Sequence, residues 1–328
     1  MRDSVCYSRY VSMKEKWFGN CLVSLSLFYE WFKLLEYVEI ISNTALGTAQ
    51  WVWRNITFDV PWSQNYFWGL TIISLLVWAA ETVWPWRKEQ AKFREGFWLD
   101  AGYMYVNFFV FSIAISGFYQ LINHGFRQFG INDKSLTLVE LSQWHPVIQL
   151  IVFFVTLDFL QWFTHKMLHR IPLLWRFHQV HHSIKDMGFA GHLRYHPMEN
   201  IFYKPLKTLG VMLLGGFEPQ QAFMVHFFTI AIGHLNHANI KLDYGALRYV
   251  LNNPVMHLYH HAYALPAQHR YGVNFGISLS LWDYLFKSAY IPEKSGDIAL
   301  GYRGDDRMPN GMLGQLLHGF SAAKRKGS

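Results

Sequence analysis

Eight histidines fall into three tight groups: His165 with His169; His178 with His181 and His182; and His257 with His260 and His261. On a helix, steps of three and four residues return side chains to one face, so each group aims several imidazoles at one volume. A single catalytic zinc takes about three protein ligands and a structural one about four, so eight converging imidazoles suggest a two-metal site. Cys6 and Cys21 lie far along the chain from every group, which excludes a thiolate site, an iron–sulfur motif and a disulfide framework. The ligands are nitrogen and oxygen.

These side chains need rigid carriers. A helix along Pro146–Arg170 places Asp158, Gln161, His165 and His169 in one stripe, and Pro172 closes it. A turn over Arg170–Leu174 leads into a second helix carrying Trp175, His178, His181 and His182, with the three histidines expected on one face. Asn252-Asn253-Pro254 supplies a cap and a first-turn proline, so a new helix begins just before His257, His260 and His261.

The carriers sit in a lipid-soluble setting. Hydrophobic residues make up 52% and aromatic residues 18% of the 328, more than a soluble protein of this size needs. Segments long and apolar enough to cross a bilayer occur at Tyr66–Trp86, Phe97–Ile122 and Pro146–Thr164. Cys21–Ile41, interrupted by Glu30, Lys33 and Glu36, reads as an interfacial amphipathic helix. Ile201–Leu235 reads as a re-entrant or half-buried pair. Arg2, Arg9, Lys14 and Lys16, and the loop of Arg87, Lys88, Lys92 and Arg94, mark cytoplasmic segments. Alternation then brings His165 to the cytoplasmic face. The net charge of +7 suits anionic headgroups; the basic residues are scattered through apolar sequence, which disfavours a nucleic-acid partner. Lys324, Arg325 and Lys326 form a short basic end.

The expected architecture is all-α: multi-pass membrane helices with a cytosolic, histidine-rich helical cap holding a dinuclear metal site. Residues 1–145 form an N-terminal membrane-spanning region, 146–290 the catalytic domain and 291–328 a C-terminal tail.

The run from Asp158 to Ser183, DFLQWFTHKMLHRIPLLWRFHQVHHS, closely resembles the fatty acid hydroxylase and sterol desaturase superfamily of integral-membrane di-iron enzymes. Arg194 to Glu199 resembles its R-x-H-P-x-E segment, and His237-Ala238-Asn239 its H-S-N segment. His257 to His261, Asn274-Phe275-Gly276 and Trp282 to Phe286 resemble its terminal pattern. Phe275 stands where the family commonly has tyrosine, and Lys287-Ser288 replaces the usual Gly-Thr. The likeness runs from about Asp158 to Lys287.

The resemblance implies His237 as a further ligand and, ranked after it, His196; Pro197 biases His196 away from helical backbone. His234 lies near enough to substitute for His237. His192 reads as structural or solvent-facing, and His124, His145, His226, His269 and His318 as packing or loop residues. The resemblance also implies two ferrous ions as cofactor and dioxygen as co-substrate, where the ligand types alone leave zinc, copper and nickel open. Asp158, a carboxylate near the end of an apolar span, is assigned a supporting role in the site, with Asp283, Arg194 and Glu199 behind it.

The implied activity is hydroxylation of an unactivated C–H bond of a membrane lipid, with desaturation by the same site as the alternative. No dinucleotide fingerprint or haem segment is present, so electrons come from an external reductase with a ferredoxin or cytochrome. Two non-oxygenase readings stand beside it: a transporter's metal relay and a zinc site that only stabilises a membrane protein.

Overall fold

The computed structural model describes residues 33–131, 136–292 and 296–320. The basic N-terminal arm, both cysteines, the first part of Cys21–Ile41 and the C-terminal lysines lie outside the described residues. Among the described residues helices dominate, and the strand content is one parallel two-residue pairing, β1 (Val139–Glu140) with β2 (Leu214–Gly215).

Contacts divide the chain into two units, Met1–Gln50 with Ile113–Gly130, and Trp51–Ser112 with Ile131–Ser328. In the second unit a helix that precedes residue 146 packs against a histidine-bearing one. In the first unit, part of α1 (33–56) lies against Gly117, where an added Cβ would come within 2.8 Å of Ile41. Glu36 approaches His124 there at 3.4 Å.

Among the described residues three helices are long and apolar enough to cross a membrane: α2 (Tyr66–Val83), α3 (Phe97–Gln128) and α4 (Pro146–Arg170). Each falls where the sequence predicts one, and each keeps apolar side chains such as Leu76, Val110 and Ile151 exposed, as a lipid solvent permits. Within α3, Val106–Val110 forms a π-helical turn. The carboxylates in these spans are buried and engaged, as the cost of isolated charge in apolar surroundings demands. Glu81 accepts from the Phe189 and Asn239 amides, and Asp100 pairs with both Arg94 and Arg194.

The remaining helices build the cap. α5 (Pro172–His182) starts immediately after α4, with Ile171 alone between them. The expected turn is shorter than predicted because Pro172, lacking an N–H to satisfy, opens the new helix instead of merely stopping the old one. Ile201–Leu235 resolves into α6 (Met198–Leu213) and α7 (Pro219–His237). α8 (Pro254–His260) begins as predicted: the Asn253 side chain accepts from the Met256 amide at 3.0 Å, a cap worth about 1 kcal/mol. α9 (Leu281–Leu285) and α10 (Met312–Leu317) complete the order. In the second unit α7 packs on α2 and on the short turn Phe189–Leu193, while α4 packs on α5 and α6.

Candidate metal centre

Nine buried or nearly buried histidines meet where α4, α5, α7 and α8 converge, and they sort into two groups. His165, His169, His178, His182 and His260 present nitrogens within 4.8 Å of one another; so do His181, His237, His257 and His261. The groups adjoin, with the His182 and His261 rings 4.4 Å apart.

The three-histidine boxes do not each serve one group. His178 and His182 enter the five-membered group while His181 enters the other; His257 and His261 enter the four-membered group while His260 crosses to the first. The expectation that all three share one face is corrected by helix geometry. At about 100° per residue, positions four apart differ by about 40°, whereas adjacent positions diverge by about 100°. Each box is therefore a divider between two sites.

The second ring nitrogens fix the orientation of the first. Nδ1–H of His165 donates to the Phe275 carbonyl (2.7 Å), His181 to Arg194 (3.0 Å), His237 to Gly233 (2.8 Å) and His260 to Val273 (2.7 Å). A carbonyl only accepts, so in a neutral imidazole each of these four Nε2 atoms carries a lone pair. The His181 and His237 Nε2 atoms face each other at 3.4 Å, two acceptors with no hydrogen between them. Nε2 of His260 and both nitrogens of His261 are buried without a partner. Burial and mutual repulsion push the imidazoles of His178, His182, His237, His257, His260 and His261 well below their ordinary range, and burial pushes His181 to about 3. Neutral nitrogens with convergent lone pairs, and no thiolate among the described residues, fit divalent transition-metal ions.

Carboxylates hold the frame. Glu199 meets His178 Nδ1 at 3.0 Å and accepts from the His196 amide; burial lifts its carboxyl to about 8. Asp283 accepts from the Phe275 and Gly276 amides, Trp162 and Ser288, and so fixes the loop whose Phe275 carbonyl orients His165. Asp158 accepts from the Ser278 and Leu279 amides and from Trp282, tying the same loop to α4. None of its bonds is to a histidine. Arg194 is fastened to Asp100 and Ser183, which steadies the carbonyl that His181 uses.

His196 stands apart from both groups. Its Nδ1 accepts from the Met198 amide and its Nε2 donates to the Leu316 carbonyl, so both nitrogens are engaged in holding the α6 start against α10. His234 bonds Ser74 and His192. His192 lines the cavity beside His237 and is wedged against Gly233, where an added Cβ would lie 2.2 Å from its ring.

Two openings reach the histidines. A cavity of about 390 Å³ is lined by His165, His178, His181 and His237 and continues past Gln161 to Lys207 and His226. A second, of about 450 Å³, reaches His169, His182 and His260 between Trp175, Arg170, Arg270 and Arg303. The spacing of lone basic residues gave no sign of either set.

The fatty acid hydroxylase family model matches residues 150–288. The ornithine lipid hydroxylase OlsE of Rhizobium tropici is 29% identical over 186 residues, 56% of this chain and 54% of its own. The human alkylglycerol monooxygenase is 29% identical over 140 residues, 40% of this chain and 28% of its own. The sphingolipid C4-hydroxylase sur2 of Schizosaccharomyces pombe is 29% identical over 157 residues, 46% of this chain and 50% of its own. The chain thus spans about half or less of the length of these relatives. No solved structure matches it significantly.

Proposed function

We propose that this chain, whose segment 150–288 belongs to the fatty acid hydroxylase family, is a membrane-bound di-iron oxygenase that hydroxylates a C–H bond of a lipid. The observation that carries the reading is two groups of inward-facing histidine nitrogens at the end of a cavity of about 390 Å³. His165, His169, His178, His182 and His260 would hold one iron, and His181, His237, His257 and His261 the other. Ferrous iron held there would supply the reduction of dioxygen, one oxygen atom entering the C–H bond and the other leaving as water with two external electrons and two protons.

The chain's own residues supply placement. The carbonyls of Phe275, Arg194, Gly233 and Val273 hold imidazoles in one tautomer, and the burial of all nine histidines but His169 below a tenth of their surface excludes bulk water. Asp158 acts through the loop it anchors, as a positioning residue. The catalytic segment is 146–290, preceded by the membrane region 1–145 and followed by the tail 291–328.

The arginine-lined opening is where an acidic electron donor, a reductase-fed ferredoxin or cytochrome, would dock, since it reaches the five-histidine group from the side opposite in lining to the lipid cavity. The basic loop of Arg87, Lys88, Lys92 and Arg94 supports a cytoplasmic face for this cap.

The test is lipid mass spectrometry of cells expressing wild type or His181→Ala under isotopically heavy dioxygen with a candidate reductase. A lipid gaining one heavy oxygen in the wild type alone is expected. A product lacking two hydrogens without added oxygen would make the enzyme a desaturase, and identical lipidomes from equally expressed proteins would sink the oxygenase reading.

A further inference from the structure

The cavity that reaches the histidines carries positive charge along its wall. Lys204 and Lys207 both line it, and three residues apart on α6 they project from one face. Lys207 Nζ donates to Gln161 at 2.7 Å, and among the described residues no carboxylate pairs with it. Gln161 precedes His165 by four residues of α4, about 6 Å along the axis. Asp158 on α4 acts on Lys207 through space, but its oxygens are taken by the Ser278 and Leu279 amides and Trp282, and Glu199, which lines the cavity, is engaged by His178 and the His196 amide. His226 on the facing α7 presents Nε2 without a partner. Burial and the two lysine charges push its imidazole to about 3, so it is a neutral hydrogen-bonding group.

We propose that Lys204, Lys207 and His226 form a subsite for the anionic headgroup of the lipid, a phosphate or carboxylate, which places a carbon near the head rather than the far end of a chain at the histidines. An ammonium turned into a cavity with no carboxylate bonded to it, as at Lys207, is costly, and an entering anion offsets that cost while its chain follows the apolar wall. The alternative for a membrane lysine, snorkelling to water along its stem, does not describe Lys207, whose Nζ is turned back to α4. This inference rests on the lipid-oxygenase reading for its chemistry, but binding needs no turnover, so the two fail separately.

The experiment measures binding to the purified full chain in neutral detergent by native mass spectrometry, with three probes: lysophosphatidylglycerol, a monoacylglycerol of the same chain length, and inorganic phosphate. The wild type is expected to bind the anionic amphiphile at least about tenfold tighter than the neutral one, and Lys207→Met to lose about that factor for the anionic probe alone. Lys207→Arg, which keeps the charge, should preserve the preference, and Lys204→Met should reduce it if Lys207→Met does not fold. Equal wild-type affinities, or parallel loss of both amphiphiles in the variants, would overturn the subsite. Inorganic phosphate binding as tightly as the amphiphile would overturn the lipid assignment in favour of a free anion.

Discussion

The two histidine groups are built from the same helices and boxes, yet they are held differently. In the five-membered group, supports come from a carboxylate, Glu199, and from the loop of Val273 and Phe275 that Asp283 and Asp158 pin down. In the four-membered group, His181 and His237 lean on the carbonyls of Arg194 and Gly233, while Nδ1 of His257 and of His261 has no partner. The first group faces both openings and the second only the cavity that runs past Gln161 to Lys207. The contrast teaches that a repeated motif need not make repeated sites: charge support and access differ although the ligand chemistry is shared.

The strongest way to break this division is to cross it. His181→Ala and His182→Ala, neighbours in sequence, should each lower bound iron from about two ions per chain to about one, and cut product by more than about a thousandfold. The double variant His181→Ala/His237→Ala, confined to one group, should keep about one ion, whereas His181→Ala/His182→Ala should keep none. Metal analysis of well-folded protein decides it, and equal losses in both doubles would merge the groups. Next in size, Glu199→Gln should weaken metal retention about 10- to 100-fold in the five-membered group while the other group retains its ion, read by chelator competition.

Smaller effects sharpen the contrast between supports and openings. Raising pH from 7 to 9 should weaken anionic-lipid binding roughly tenfold, because burial holds Lys207 down at about 8 and its ammonium form is lost as pH rises. Lys204 on α6, Gln161 and Asp158 on α4 and His226 on α7 surround that titration. Donor docking at the arginine-lined opening should instead respond to salt, slowing as ionic strength rises; a pH-independent lipid affinity would count against Lys207. Last, Asp283→Asn should cost about 1–3 kcal/mol in thermal unfolding and Asp158→Asn less, since Asp283 accepts from four donors around the Phe275 turn. A larger loss for Asp158→Asn would reverse which carboxylate carries the loop.

Much of the scaffold is legible in residue order because its signals are local. The apolar lengths of α2, α3 and α4, the proline at the start of α5 and the Asn253 cap of α8 all act within a turn of themselves. Spacing also brings His165 to His169 and His178 to His182. What spacing hides is contact across distance in the chain: Asp283 bonds Trp162 from 121 residues away, and Arg194 reaches Asp100 from 94. Motif likeness offers both His237 and His196 as ligands, with Pro197 ranking His196 second, and the third dimension gives them different partners, the one facing His181 and His257, the other spent on Met198 and Leu316. In the sequence Lys204 and Lys207 read only as breaks in the apolar run Ile201–Leu235, which gives no hint of which wall they join.

Gly233 carries a consequence for inheritance. Its carbonyl steadies His237 and its bare α-carbon leaves room for the His192 ring. Every replacement a gene can encode there is bulkier, so variation at this codon has one direction only, into a ring that is itself bonded to His234. A position outside both histidine groups is thereby closed to side chains by the ring it leaves room for.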